Sequence, residues 1–234
     1  MRLDKFLAHH GFGTRKEVKS LIKKGFVSVN ENIVKVDKVH VDPYHDVIKV
    51  NNELIEYEEN VYYMLNKPAG YVSATEDQIH PTVIDLIDDY HPDLFPVGRL
   101  DIDTEGLLII TNDGHLAHQL LSPKKHCSKI YYARIKGIVT QDDVDLFLKG
   151  IVIDNNYQCQ SAYLKILTTY QDESEVEIEI FEGKFHQIKK MFLSIGKEVL
   201  YLKRIQMKQL ILDESLQLGE YRRITDEELY RLKQ

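Results

Sequence analysis

The feature that most constrains this chain is the run Gly98-Arg99-Leu100-Asp101-Ile102-Asp103-Thr104-Glu105-Gly106-Leu107-Leu108-Ile109-Ile110-Thr111-Asn112-Asp113-Gly114. Its apolar segment is too short for a helix and rich in Ile, the pattern of a buried strand. Just ahead of it, Asp101 stands between a basic residue, Arg99, and a turn glycine, Gly106. A carboxylate at the mouth of a buried strand is held rigidly while its oxygens face a cleft, so Asp101 reads as a catalytic acid or a metal ligand. The metal reading fails on spacing. Asp101-x-Asp103-x-Glu105-Gly106 mimics the start of an EF-hand loop, but its twelfth position is Asn112 where a Glu is required. The positions between are apolar and no His or Cys pair at ligand spacing lies nearby, so no metal is expected.

Charge is informative once it is mapped. The net charge of −7 argues against a generic polyanion binder. Yet residues 1–24 carry Arg2, Lys5, Arg15, Lys16, Lys19, Lys23 and Lys24 against only Asp4 and Glu17. Residues 122–136 hold Lys124, Lys125, Lys129, Arg134 and Lys136 with no acid, and residues 184–204 hold Lys184, Lys189, Lys190, Lys197, Lys203 and Arg204 against Glu198 alone. Three basic islands on an acidic body suggest a bounded nucleic-acid track. Solvated helix faces are the plainer reading of the same runs. No apolar run approaches the roughly 20 residues of a membrane span, and the N-terminus lacks an apolar signal core. Cys127 and Cys159 show no zinc spacing and read as reduced thiols.

The 234 residues exceed a typical domain of roughly 100–150. Leu3, Phe6 and Leu7 share one helical face, and Thr14 caps a second helix carrying Val18, Leu21 and Ile22 up to Gly25. Val27, Val29 and Ile33-Val34 across Asn30-Glu31-Asn32 read as a strand pair, followed by Val39-x-Val41 and Val47-Ile48-x-Val50. The acidic stretch from Glu56 to Asn60 reads as a linker region. Beyond it, strands are expected at 61–66, 106–111, 129–136, 163–170, 175–181 and 198–207, with a hairpin turn at 171–174. Helices are expected at 82–90, 114–121, 141–149, 187–195 and 225–232. Glu175, Glu177 and Glu179 alternate with Val176 and Ile178, so these acids share a wet face and are no metal cluster. The order indicates an α+β chain with a mainly antiparallel sheet and flanking helices.

The acidic turn and three further blocks resemble, in order, the motifs of the pseudouridine synthases of the RsuA/RluA superfamily. Lys67-Pro68-Ala69-Gly70-Tyr71 is similar to the Lys-Pro-x-Gly segment, and the block from Ser122 to Tyr131 to the Lys-x-Tyr motif. Glu182-Gly183-Lys184-Phe185-His186-Gln187-Ile188-Lys189-Lys190-Met191-Phe192 is similar to the His-Gln-x-Arg/Lys motif in its RsuA form. Residues 1–57 resemble an S4 RNA-binding domain, residues 58–60 are the linker, and residues 61–234 resemble the synthase domain, a mixed sheet split by a central cleft. The resemblance is nearest to the RsuA type, which implies isomerisation of one uridine, of the position-516 type, in small-subunit (16S) ribosomal RNA.

The resemblance implies that the N1–C1′ bond of a uridine breaks, the uracil rotates, and C5 rejoins C1′, with no cofactor. Asp101 is then the catalytic carboxylate, acting as nucleophile at C1′ or as base on the 2′ proton. Lys189 pairs with Asp101 and aims it, and Tyr131 stacks on the base. Asp103, outside the Gly-Arg-Leu-Asp match, reads as a loop-shaping acid. Arg99 is a phosphate or space-filling contact, and His186 and Gln187 contact RNA or fix their loop. Arg2, Lys5, Arg15, Lys16, Lys19 and Lys23 are the RNA contacts of the N-terminal module. The implied partner is ribosomal RNA in an assembling small-subunit particle, met by a cytoplasmic monomer without a membrane. Competing readings are a synthase for large-subunit (23S) RNA, a non-catalytic S4-type ribosome-assembly protein, and a metal-dependent phosphoesterase using Asp101 and Asp103.

Overall fold

The computed structural model describes residues 1–234 apart from 90, 92, 123–125 and 155, so Lys124 and Lys125 lie outside the described residues. The chain divides into two compact units, Met1–Val61 with Asp88–Leu94, and Tyr62–Ile87 with Phe95–Gln234. Among the described residues no helix is long and apolar enough to cross a membrane.

The first unit opens with α1 (Leu3–His9) and α2 (Arg15–Lys23). Thr14 starts α2 through a capping box: its hydroxyl accepts from the Glu17 N–H, and its own N–H donates to the Glu17 carboxylate. A small antiparallel sheet follows, in the order β2 (Asn32–Ile33), β1 (Val27–Val29), β3 (Ile48–Val50), β4 (Glu53–Leu54). Leu3, Phe6, Leu7, Val18, Ile22, Val27, Val41, Ile48 and Val50 form its core. The expected Val39-x-Val41 strand is absent. Those residues instead hold the N-terminus, Leu3 N–H donating to Val39 O at 2.8 Å and Val41 N–H to Met1 O at 2.8 Å, with a single bridge between Arg2 and His40.

The second unit contains β5 (Tyr62–Lys67), β6 (Phe95–Val97), β7 (Glu105–Thr111), α3 (Gly114–Leu121), β8 (Lys129–Lys136), α4 (Gln141–Lys149), β9 (Val152–Ile153) and β10 (Tyr157–Gln158). It continues through β11 (Tyr163–Tyr170), β12 (Glu173–Ile180), α5 (Gln187–Ser194), β13 (Glu198–Met207), β14 (Leu210–Ile211), β15 (Tyr221–Arg223) and α6 (Asp226–Lys233). The main sheet runs β11-β12-β8-β13-β7-β5-β15, with β14 on β13 and β6 on β7. All its pairings are antiparallel except β7 with β13, so the α+β, mainly antiparallel expectation holds. Met64, Val97, Leu107, Ile109, Leu116, Leu120, Met207 and Leu232 make one continuous core.

Two departures matter. Of the helix expected over 82–90, whose last residue lies outside the described residues, there is a single 3-10 turn at Val83–Leu86: the Asp85 carboxylate accepts from Thr82 N–H, and Ile87 is extended at φ −101° and ψ 104°. The cap closes one turn, and the chain then leaves to become the Asp88–Leu94 part of the first unit. The hairpin turn tightens to Gln171 and Asp172, because β12 begins at Glu173.

β7 has β5 beside it from Gly106 to Thr111 on one side. On the other, β13 meets it only at Glu105 and Gly106, and β6 only at Ile109–Thr111. The two partners part there, and the segment 98–104 carrying Asp101 enters β7 at that fork. Gly106 allows it. A Cβ at this position would lie 2.2 Å from the Arg204 carbonyl oxygen, and φ is +100°, a region that side chains other than hydrogen avoid.

Candidate active site

The acidic turn is held from below by the Lys67-Pro68-x-Gly70 segment. Lys67 is fully buried at the end of β5, and its ammonium donates to the carbonyls of Thr104 (2.9 Å), Pro68 (3.0 Å), Asp101 (3.2 Å) and Ile102 (3.3 Å). Gly70 N–H donates to Ile102 O at 2.8 Å, and Thr104 N–H closes the turn onto Asp101 O at 3.0 Å. Ser73 clamps the other side: its hydroxyl donates to Leu100 O and accepts from Leu100 N–H, both at 3.0 Å. Burial pushes the Lys67 ammonium down to about 8, against the opposing pull of Asp103, Glu105 and Asp101. The sequence marked Lys67 only as part of a motif. Its role, and that of Ser73, lies in contacts some 30 residues apart along the chain.

With its backbone fixed, Asp101 presents a partly exposed carboxylate to a cleft lined also by Arg99, Thr104, Tyr131, Lys184, His186, Gln187 and Lys189. Lys189 Nζ stands 3.3 Å from Asp101 Oδ2, and His186 Nε2 stands 3.7 Å from Asp101 Oδ1. Lys189 is nearer to Asp103, whose two oxygens it meets at 2.6 and 2.8 Å. The expected pairing of Lys189 with Asp101 is therefore shared with Asp103. Burial alone would raise the Asp103 carboxyl, but the Lys189 hydrogen bonds and charge, with His186 adding to them, hold it below the usual carboxylate range.

Lys189 reaches the cleft because α5 buries Ile188, Met191 and Phe192 on one face and leaves Lys189 off that stripe. The helix is entered through His186 in the left-handed region, φ +54°. Gln187 is buried, its amide oxygen accepting from Lys184 N–H and its amide nitrogen donating to Glu182 Oε1, both at 2.9 Å. These bonds are those expected of the loop-fixing role. Glu182 anchors this loop, also accepting from Tyr157 OH at 2.6 Å and Gln160 N–H at 2.9 Å. Tyr131 is buried on β8 and lines the cleft beside Ile180 and Leu202.

The basic islands look different in three dimensions. Arg204 is buried, with its Nε donating to Leu107 O at 2.7 Å, and Lys129 is part-buried on Cys127 O at 2.7 Å. Lys197 pairs with Asp143, Lys190 with Asp154, and Lys136 with Glu198. In the third island Lys189, Lys190 and Lys197 thus face carboxylates and Arg204 is core, whereas Lys124 and Lys125 of the second lie outside the described residues. Arg99 and Lys184 remain exposed at the cleft without a carboxylate partner among the described residues. In the first unit, Arg2 donates two hydrogen bonds of 2.9 and 2.7 Å to the buried Asp4, so its charge is already partnered within the protein. Lys19 leans on Asp37 at 3.5 Å, whereas Lys5, Arg15, Lys16 and Lys23 are exposed and unpaired among the described residues.

No three His, Cys, Asp or Glu side chains among the described residues converge as a metal site, and Cys127 and Cys159 are buried free thiols. The arrangement sets the partly exposed Asp101 carboxylate beside a lysine that it shares with Asp103, and against an aromatic wall. That set suits covalent or general-base chemistry.

A family model described as RNA pseudouridylate synthase matches residues 61–194, and one described as S4 domain matches residues 1–47. The uncharacterized RNA pseudouridine synthase YtzG of Bacillus subtilis (strain 168) is 44% identical over 100% of this chain and 99% of its own. Ribosomal small subunit pseudouridine synthase A of Escherichia coli (strain K12) is 38% identical over 98% of both chains. A solved crystal structure of a pseudouridylate synthase, 37% identical and covering 99% of both chains, superposes with a TM-score of 0.69.

Proposed function

This chain belongs to the RNA pseudouridylate synthase family, and on that premise we propose that it converts a uridine of small-subunit ribosomal RNA to pseudouridine with Asp101 as the reacting carboxylate. The observation that carries the assignment of Asp101 is its setting: a carboxylate open to the cleft, on a backbone held by Lys67, Gly70 and Ser73, beside Lys189. A rigid, partly desolvated carboxylate is what attack at C1′ or removal of the 2′ proton requires. The N1–C1′ bond breaks, the uracil turns, C5 bonds to C1′, and the C5 proton leaves while N1 is protonated. Tyr131, on the cleft wall, stacks on the uracil and takes the C5 proton. The target nucleotide leaves its stack in the folded RNA to reach Asp101.

Two features support small-subunit RNA as substrate: the RsuA form of the Glu182–Phe192 motif, and full-length similarity to relatives named for the small subunit. We assign residues 1–57 the task of holding the RNA and residues 61–234 the chemistry, joined by residues 58–60. The test is incubation with transcribed small- and large-subunit RNA, with and without ribosomal proteins, followed by chemical mapping of pseudouridine. A new pseudouridine in the small-subunit RNA is expected. One confined to large-subunit RNA moves the substrate, and none in either overturns the reading.

A further inference from the structure

Phe185 is 73% exposed and stands between Lys184 and His186, which both line the cleft, while the wall aromatic Tyr131 is 7% exposed. A single exposed apolar ring is ordinary on a protein surface. This one is set apart by what it touches. Its ring stacks on His186 with centroids 3.7 Å apart and planes 21° from parallel, and His186 is the residue whose Nε2 stands 3.7 Å from Asp101. Phe185 therefore packs on the ring that faces the Asp101 carboxylate. The loop bearing it is rigid: Glu182 accepts three hydrogen bonds there, from Tyr157, Gln160 and Gln187. Lys190, 5.2 Å from the Phe185 ring centroid, is itself held by Asp154.

Charge supplies an independent argument. Lys189 is engaged by two carboxylates, which leaves Arg99 and Lys184 as the exposed cleft cations without a carboxylate partner among the described residues. Lys184, next to Phe185, is exposed, has no carboxylate partner among the described residues, and rests 4.9 Å from the Tyr157 ring centroid.

We infer that Phe185 and Lys184 form a subsite for the nucleotide adjoining the target uridine, Phe185 stacking on its base and Lys184 meeting its phosphate. This rests on the proposed RNA substrate. Once the target base is extruded, its neighbour loses a stacking partner, and an aromatic ring at the rim replaces that face without reading sequence. A preformed loop gives this stack at little ordering cost.

The test compares wild type, Phe185→Leu, Phe185→Tyr and Lys184→Gln on a small-subunit RNA transcript and on transcripts bearing a base-less ribose on either side of the modified uridine. Phe185→Leu is expected to bind the transcript roughly fivefold to a hundredfold more weakly, with Phe185→Tyr restoring affinity. Removing one flanking base costs wild type a similar factor and costs Phe185→Leu nothing further. Lys184→Gln lowers the slope of log affinity against log salt by about one unit. Wild type that modifies the transcript while Phe185→Leu binds it equally well overturns the subsite alone. So does a Phe185→Leu loss confined to kcat, which marks Phe185 as a support for His186. Wild type that leaves the RNA unmodified overturns the proposed substrate, and the subsite with it.

Discussion

The ammonium of Lys189 hydrogen-bonds both carboxylate oxygens of Asp103, at 2.6 and 2.8 Å. Its separation from Asp101 is longer, 3.3 Å, so the acid read from sequence as loop-shaping also sets where the cation stands. Asp103→Asn keeps the side-chain shape and removes one charge of this three-membered set. It is expected to lower kcat by about tenfold, the order of a weakened charge-assisted hydrogen bond, with KM little changed. Single-turnover pseudouridine formation measures this. A loss equal to that of the Asp101 variant would contradict it.

Asp101→Asn is isosteric but supplies neither nucleophile nor base. Pseudouridine formation is expected to fall by at least about a thousandfold, while melting temperature and RNA affinity stay near wild type. Turnover of purified Asp101→Asn within tenfold of wild type would reassign the reacting group.

Lys67 gives a pH signature of definite sign. Its ammonium lies at about 8 in the folded protein, below its ordinary value of 10.5, so across that window the unfolded chain binds more protons. Stability contributed by this group therefore rises from pH 8 to 10.5, as the cost of burying the charge is relieved. Activity moves the other way, because the neutral amine has fewer N–H donors for the four carbonyls that hold the Asp101 turn. Turnover should decline above about pH 8 without a parallel fall in melting temperature assignable to Lys67. Lys67→Met should cost about 2–4 kcal/mol in denaturant melts and reduce kcat more than RNA affinity. An unchanged melt would show that the carbonyls find other donors.

The helix pair of the first unit has a definite charged face. Arg15, Lys16 and Lys23 are exposed and unpaired among the described residues, whereas Arg2 and Lys19 have acidic partners. Changing Arg15, Lys16 and Lys23 together to Ala is expected to reduce the slope of log affinity for ribosomal RNA against log salt by roughly two to three units. Arg2→Ala should leave the slope unchanged and lower stability, since Asp4 would be left buried without its cation. Titrations over a salt series separate the two.

Local chemistry made much of this fold readable. Helix α4 runs from the Thr140 capping box to Gly150, and β8, β11 and β13 span the residues that their patterns indicate, because caps, turns and side-chain alternation act within a few positions. The acidic turn before β7 marked Asp101 for the same reason. The helix expected over 82–90 ends at Leu86, where Ile87 is already extended, a place at which local propensity is a weak guide.

By itself, then, the sequence determined the α+β class, most long elements and the family, and its motifs marked Asp101 as the carboxylate proposed to react. Tertiary structure alone decided which charges meet. Lys189 and Asp103 are 86 positions apart, Lys67 and Asp101 34 apart, and a basic island in the one-letter code proved to be partly core and partly ion-paired. Ion pairing and hydrogen bonding change steeply over fractions of an ångström, and distances that fine between remote residues exist only once the sheet has brought β5, β7 and α5 to one cleft.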